Sequence, residues 1–249
     1  MNERAPVRFS HLRAYGKSAM HGLHARTAEA EETMAMERGT AVHALVFGTK
    51  PVIGYPGARR YGKDYDAFAA LHEGYEILTR DEYVKATRMA EAVQNCKLAE
   101  PMLKGRTEET LLFAWNGMTC RSTPDVRGAD FVTELKTAPS SDPAQFGWHA
   151  LRMHYHAQMR MEQIAAEIVE GVECIKDCFI VCVEANEPHP VTVFRVDEKA
   201  LEVGDKLLTL WAERLKVAEA SQAWPPYVSC IVPLTVPDEL QLEFEEDAV

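Results

Sequence analysis

No stretch of the chain approaches the run of roughly 18 apolar residues that a membrane-crossing helix requires, so a helical membrane protein is excluded. The opening residues, MNERAPVRFS, also lack the apolar centre of a secretory signal, and a cytoplasmic location away from membranes is expected. There is no internal repeat, no low-complexity tract and no linker rich in Gly, Pro or Ser. With nothing to divide them, the 249 residues are expected to form one well-buried domain, as that length permits.

Paired cysteine motifs are missing too. The six cysteines, at 96, 120, 174, 178, 182 and 230, never form C-x-x-C. Cys174, Cys178 and Cys182 recur every four residues, as a helix-borne cluster would, but DCFIVCVEA has the composition of a buried strand. Buried free thiols are therefore expected, rather than an iron–sulfur or zinc site. Basic charge is scarce as well: 27 Lys and Arg stand against 38 Asp and Glu, for a net charge of −11. Phosphate contacts dominate nucleic-acid affinity, so the total argues against a DNA-binding protein. The distribution reopens the question. Arg4, Arg8, Arg13, Lys17 and Arg26 face only Glu3 near the start, while residues 238–249 carry six acids and no base, as a solvated tail would.

What is present has the composition of an ordinary globular protein, 47% apolar and 26% charged. Residues 9–47 carry apolar positions at helical spacing, ending in GTAVHALVF, and residues 51–63, with their Gly and Pro, read as a loop. Thr79-Arg-Asp-Glu82 is a capping box for a helix reaching about Cys96. The period then changes. Thr110–Trp115 and Met118–Ser122 flank Asn116-Gly117, a strong hairpin signal, and a third strand, Asp130–Lys136, is expected to complete a meander. Asp142-Pro143 starts a helix to about Arg152, and a longer one is expected from about Tyr155 to Val169, stopped by Gly171. Strands Cys178–Glu184 and Val191–Val196 and a helix from Glu198 to about Ala220 follow. The order predicts a mixed α/β (α+β) fold with a small central sheet flanked by helices.

Chemistry concentrates in Thr123–Thr137, TPDVRGADFVTELKT. Side chains two apart on a strand share a face, so Glu134 and Lys136 project together while Leu135 turns into the core. Asp125 precedes a short turn at Arg127-Gly128, and adjacent antiparallel strands can bring it beside Glu134. Two carboxylates next to an ammonium suit Mg²⁺, which takes one or two carboxylates plus water and substrate phosphate; the backbone carbonyl of Leu135 could join them. The same letters fit a solvated strand face with an ion pair. His43, within Arg38-Gly-Thr-Ala-Val-His43, could equally be a structural histidine, and Gln158, within Tyr155-His-Ala-Gln158, an ordinary polar residue near a helix start.

Taken in order, GTAVH, PD, ELKT and YHAQ resemble the PD-(D/E)xK nuclease superfamily, and within it the phage and prophage exonucleases of exodeoxyribonuclease VIII-like, lambda-exonuclease type. The likeness runs from about Ser10 to Tyr227 and takes in ILTRDEYVKATRMAEAV and WPPY. Relatives often show an aromatic residue four places after the Gln, where this chain has Glu162, and often Asp at the second carboxylate, here Glu134. The resemblance implies a restriction-endonuclease-like core over about 108–220, within a single nuclease domain of 1–249 that has a helical part over about 1–107 and a tail over about 221–249. It implies Asp125, Glu134 and the Leu135 carbonyl as metal ligands, His43 as a further ligand, Lys136 as the residue orienting the attacking water, and Gln158 on the scissile phosphate or the water. Thr137, Tyr155, Arg13 and Lys17 would contact DNA. The cofactor would be one or two Mg²⁺ ions, with Mn²⁺ substituting. The activity would be 5′→3′ exonucleolysis of double-stranded DNA ends in phage-type recombination, in a bacterial host, by a ring-shaped homo-oligomer partnered by a single-strand annealing protein. Basic residues 4–26 from several subunits could then line one channel. Two alternatives share the fold: a structure-specific or single-strand endonuclease, and a non-catalytic DNA-binding or interaction protein.

Overall fold

The structure is a computed structural model and describes residues 5–28, 33–57, 59–171, 175 and 177–235. Arg4, Cys174 and the acidic stretch 238–249 lie outside the described residues.

Its centre is a five-stranded sheet in the order β3-β6-β7-β8-β9: Arg106–Thr107, Val126–Arg127, Phe131–Ala138, Asp177–Glu184 and Val191–Arg195. β7 and β8 are parallel, and the helices α6 (Pro143–Arg152) and α7 (Tyr155–Glu170) connect them; the other pairings are antiparallel. Strands covered on both faces read as nearly continuous apolar runs, and β8, DCFIVCVE, does so. Its alternate side chains part to two cores. Cys178, Ile180 and Cys182 join a cluster with Met159, Leu208, Trp211 and Leu215, under α7 and α8 (Glu198–Ser221). Val181 and Val183 join Leu135, Val42, Met89 and Val93, under α3 (Met34–Phe47) and α5 (Arg80–Gln94). The two-residue period thereby assigns a face to every side chain of β7: Leu135 goes to the α3–α5 side, Glu134 and Lys136 to the α7 side.

Several local signals act as expected. Thr79 caps α5 by accepting the Glu82 N–H, Asp142 caps α6 by accepting the N–H groups of Ala144 and Gln145, and Gly171 ends α7 in the left-handed region at φ 65°. Asn116 and Gly117, at φ 49° and 74°, form the tight turn of a hairpin between β4 (Leu111–Trp115) and β5 (Met118–Ser122). The helical first segment is present as α1 (Phe9–Lys17), α2 (Ala19–Thr27) and α3.

Two expectations change. The hairpin does not continue into a meander: it stands as its own two-stranded sheet, and β7 pairs instead with β6, a strand of two residues too short to show a period. Residues 51–63 are not all loop, because β1 (Val52–Tyr55) pairs in parallel with β2 (Glu76–Thr79) around α4 (Lys63–Leu71). One of the glycines behind the loop expectation, Gly54, lies inside β1, where an added Cβ would come within 3.0 Å of Tyr83. It serves a close approach rather than a turn.

Cys178 and Cys182 on β8, and Cys120 on β5, are buried free thiols as expected, whereas Cys96 is half-buried and Cys230 exposed. Burial pushes the thiol of Cys120 up to about 11 and those of Cys178 and Cys182 up to about 12, so they stay protonated and unreactive. Among the described thiols only Cys230 is exposed. A maleimide near neutral pH is expected, among these described thiols, to label Cys230 first and Cys96 more slowly, and to reach Cys120, Cys178 and Cys182 only in denaturant, as peptide mapping would report.

Candidate active site

The register of β6 on β7, Val126 opposite Thr133, brings Asp125 beside Glu134. The contact is direct. The Leu135 backbone N–H donates to Asp125 Oδ2 at 2.7 Å, and the Asp125 N–H reaches Glu134 Oε1 at 3.4 Å. The turn closed by Gly128 N–H on the Phe131 carbonyl holds this stretch in place. Both carboxylates are buried, Asp125 at 8% and Glu134 at 3% exposure. Buried carboxylates need partners. Lys136 Nζ supplies one, 2.5 Å from Glu134 Oε2, with its ammonium 5.0 Å from the centre of the Tyr155 ring. Burial disfavours the Lys136 ammonium, but Glu134 and Asp125 together more than offset that, and its pKa is raised. Lys136 is a fixed cation near neutral pH.

His43 comes from α3, on the other side of the sheet, and its Nδ1 lies 3.2 Å from Asp125 Oδ1. Burial alone would lower its pKa; the charge of Asp125 and the hydrogen bond to it prevail, and the pKa is raised. Gln158 comes from the first turn of α7. His154, in the left-handed region at φ 59°, turns the chain from α6 into that helix. Gln158 Nε2 donates to Glu134 Oε2 at 2.8 Å and to Glu162 Oε1 at 2.9 Å.

Asp125, Glu134, Lys136, His43 and Gln158 therefore meet in one place. The residues expected to contact DNA spread out from it. Tyr155 packs under Lys136, whereas Thr137, one residue on from Lys136, faces α3, where a Cβ on Gly39 would lie 3.4 Å from its Oγ1. Arg13 and Lys17 lie farther out along α1. Two clefts reach the centre at its ends. One, of about 390 Å³, is bordered by Arg8, Arg13, Arg121, Gln158 and Glu162; the other, of about 720 Å³, is bordered by Gly39, Thr40, His43 and Lys50. Arg13 also borders a third cleft with Lys17, Arg152, His154 and Arg214. A cationic track thus forms on a chain of net charge −11. Arg26, one of the basic residues near the start of the chain, is not part of it, being paired with Glu219 at 2.7 Å.

Glu162 is the member that the sequence did not point to. It is 2% exposed, and its Oε2 is buried without a hydrogen-bond donor. Burial and then the charge of Glu134 push its pKa well above the usual carboxylate range. The available signal was its position four residues after Gln158, which places both on one helix face; it registered only as a missing aromatic.

Among the described residues, no three His, Cys, Asp or Glu side chains converge into a ready-made metal cage. Mg²⁺ does not need one, since it binds through one or two carboxylates and completes its shell with water and phosphate. The donors present are hard oxygens from adjacent carboxylates, and one buried carboxylate oxygen has no donor. That set fits a divalent cation.

A family model described as "PDDEXK-like domain of unknown function (DUF3799)" matches residues 8–231. Among solved structures, a protein of Eubacterium rectale named "putative exonuclease" superposes with a TM-score of 0.65 at 12% identity, over 96% of this chain and 93% of that one. SSO0001 matches at 13% identity over 80% of this chain and 85% of that one, with a TM-score of 0.30 that carries no argument. No curated protein matches the sequence. At such identities the likeness speaks for the fold.

Proposed function

The chain belongs to the PDDEXK-like family DUF3799, within the PD-(D/E)xK superfamily, and from that premise we propose that it is a Mg²⁺-dependent deoxyribonuclease, a 5′→3′ exonuclease of exodeoxyribonuclease VIII-like type acting on double-stranded DNA ends. The observation that carries the reading is the convergence of Asp125, Glu134 and Lys136 through the β6–β7 register. In this reading Asp125, Glu134 and the Leu135 carbonyl hold the metal, and His43 is a further ligand beside Asp125. A bound Mg²⁺, or Mn²⁺ in its place, supplies Lewis-acid polarisation of the phosphate, activation of water and stabilisation of the leaving oxygen. Lys136 orients the water and offsets charge developing on the phosphoryl group. Gln158 holds the phosphate or the water. The track through Arg121, Arg8, Arg13, Lys17 and Arg214 carries the DNA backbone, which gives an acidic protein the local positive field that phosphate binding requires.

The wider proposal has the whole chain acting as one nuclease domain in phage-type recombination, as a ring-shaped homo-oligomer partnered by a single-strand annealing protein. A second reading, a non-catalytic DNA-binding role on the same fold, is favoured by the net charge of −11. The test is timed digestion, with Mg²⁺, of a linear duplex labelled at either end beside a covalently closed circle. Nucleotides released from the 5′ end of the linear duplex, with the circle intact, are the expected result. Cutting of the circle would replace the exonuclease with an endonuclease. Binding with no cleavage under Mg²⁺ or Mn²⁺ would favour the non-catalytic role.

A further inference from the structure

Two adjoining clefts that share Arg13 are bordered by Arg8, Arg13, Lys17, Arg121, Arg152 and Arg214. Among the described residues, none of these cations is paired with a carboxylate. Arg8 donates to the ring of His11, which burial and then the charge of Arg8 keep neutral; Arg13 donates to the Met153 carbonyl and Arg214 to the Gly16 carbonyl. Other arginines do find acids, as Arg26 does on Glu219 and Arg160 on Asp205, so the gap is local to this track. Cations gathered without acids in a chain of net charge −11 make a surface that attracts an anion. Residues 238–249 hold one of matching size: Asp238, Glu239, Glu243, Glu245, Glu246 and Asp247, with no base among them.

The chain sets out toward that acidic stretch from beside the track. Gln222, in the left-handed region at φ 52°, ends α8. The Met20 N–H then donates to the Pro225 carbonyl at 3.2 Å, and the His21 ring lies 5.0 Å from that of Tyr227. Met20 and His21 are in the first turn of α2, just after Lys17 at the end of α1. Residues 228–235 continue without helix or strand, with Ile231 and Leu234 fully exposed. Between Tyr227 and Asp238 the chain can span about 35 Å, whereas the nine residues of α1 are about 14 Å long. The acids can therefore reach past both ends of α1. We propose that residues 238–249 dock on the cationic track of their own chain in place of a phosphate backbone, and that DNA must displace them to enter. The contact itself needs only the two charge clusters; its effect on DNA rests on the nuclease reading of the track. A short tether holds the acids at an effective concentration of about 1 mM. Against a contact as weak as the ~10⁻⁴ M of non-specific phosphate binding, that lowers DNA affinity about tenfold.

Two measurements on the full chain test this. The first follows duplex binding by anisotropy in EDTA at rising salt, for the wild type and for a variant carrying Asp238→Asn, Glu239→Gln, Glu243→Gln, Glu245→Gln, Glu246→Gln and Asp247→Asn together. The variant is expected to bind about tenfold tighter at low salt. The wild type should show the shallower salt dependence, because salt also loosens its tail, and the two should converge as salt rises. Equal affinities at low salt overturn the proposal and leave the nuclease reading standing. Plain repulsion by the acids would also favour the variant, so the second measurement reads the contact itself. A carbodiimide joins a carboxylate to an amine that touches it, and Lys17 is exposed. In an equal mixture of ¹⁴N and ¹⁵N chains without DNA, peptide mapping is expected to find Lys17 linked to an acid of 238–247 within one chain, and added duplex should suppress the link. No such link, or links only between differently labelled chains, overturns the proposal. Should neither protein bind duplex, the nuclease reading fails, and the Lys17 link alone decides whether the tail docks.

Discussion

Lys136→Ala protein is expected to release nucleotides from a labelled duplex about 10²–10³-fold more slowly than the wild type, the loss typical of removing one preorganised charge-stabilising donor, while still retaining duplex in an anisotropy assay. The ammonium sits 2.5 Å from Glu134 Oε2, where it can face a phosphate bound at the carboxylates. The arginine track that would hold the backbone is untouched, so binding should survive. The variant carries a second consequence. Without Lys136, Glu134 and Glu162 share one buried region with no cation beside them, and breaking a buried ion pair costs about 3–5 kcal/mol. A drop in melting temperature in EDTA that added Mg²⁺ partly restores is therefore expected, and activity must be read where the variant is folded. Asp125→Asn separates the two effects. Its amide oxygen can still accept the Leu135 N–H that Asp125 Oδ2 accepts at 2.7 Å. It should melt near the wild type yet lose about as much activity as Lys136→Ala. Digestion at the wild-type rate by either variant would sink the site.

The difference between what could and could not be foreseen lies in how far a signal reaches along the chain. Asn116-Gly117 sets its turn through its own backbone preference, and the alternation of Glu134, Leu135 and Lys136 is fixed by the strand period. Both are local, and both are where they were expected. β1, β2, β3 and β6 are two to four residues long, below the length at which a period shows, so the β1–β2 pair and the separation of the hairpin from the main sheet went unseen. The gathering of His43, Asp125 and Gln158 depends on three elements far apart in sequence. It was accessible only through the order of motifs seen in a family, not through any physical property of one segment. Glu162 was hidden for another reason: on an amphipathic helix a glutamate reads as solvent-facing, and only the packing of α7 on the sheet shows that this one is buried. The basic track was concealed by averaging, since Arg121, Arg152 and Arg214 join Arg8, Arg13 and Lys17 only in three dimensions.

The packing that positions α7 makes a sharp prediction of opposite signs for one substitution at two sites. Gly147 and Gly204 both lie inside helices, α6 and α8, and alanine in a helix interior is worth about 0.5–1 kcal/mol over glycine. At Gly147 an added Cβ meets nothing within 4 Å, so Gly147→Ala should stabilise by about that amount. At Gly204 the same atom would lie 2.7 Å from the His156 carbonyl oxygen and 2.9 Å from the Ala157 Cα, on the neighbouring helix α7. These are backbone atoms, and no rotamer change removes them; the helices themselves must part. Overpacking a close contact costs about 1–3 kcal/mol, and against backbone the upper part of that range applies, so the clash outweighs the gain in propensity. Gly204→Ala should destabilise, and Gly204→Val more so, because its further methyl groups meet the same wall. At about 2–4 °C per kcal/mol for a chain of this size, thermal unfolding resolves the two signs. The lesion also reaches the chemistry. Gln158 follows directly on His156 and Ala157, so parting α7 from α8 moves the amide that bridges Glu134 and Glu162. Gly204→Ala should therefore lose activity at temperatures where it remains folded, whereas Gly147→Ala should not. Equal shifts for the two alanine variants would mean that α7 does not rest on α8 through Gly204, and that some other contact sets the position of Gln158.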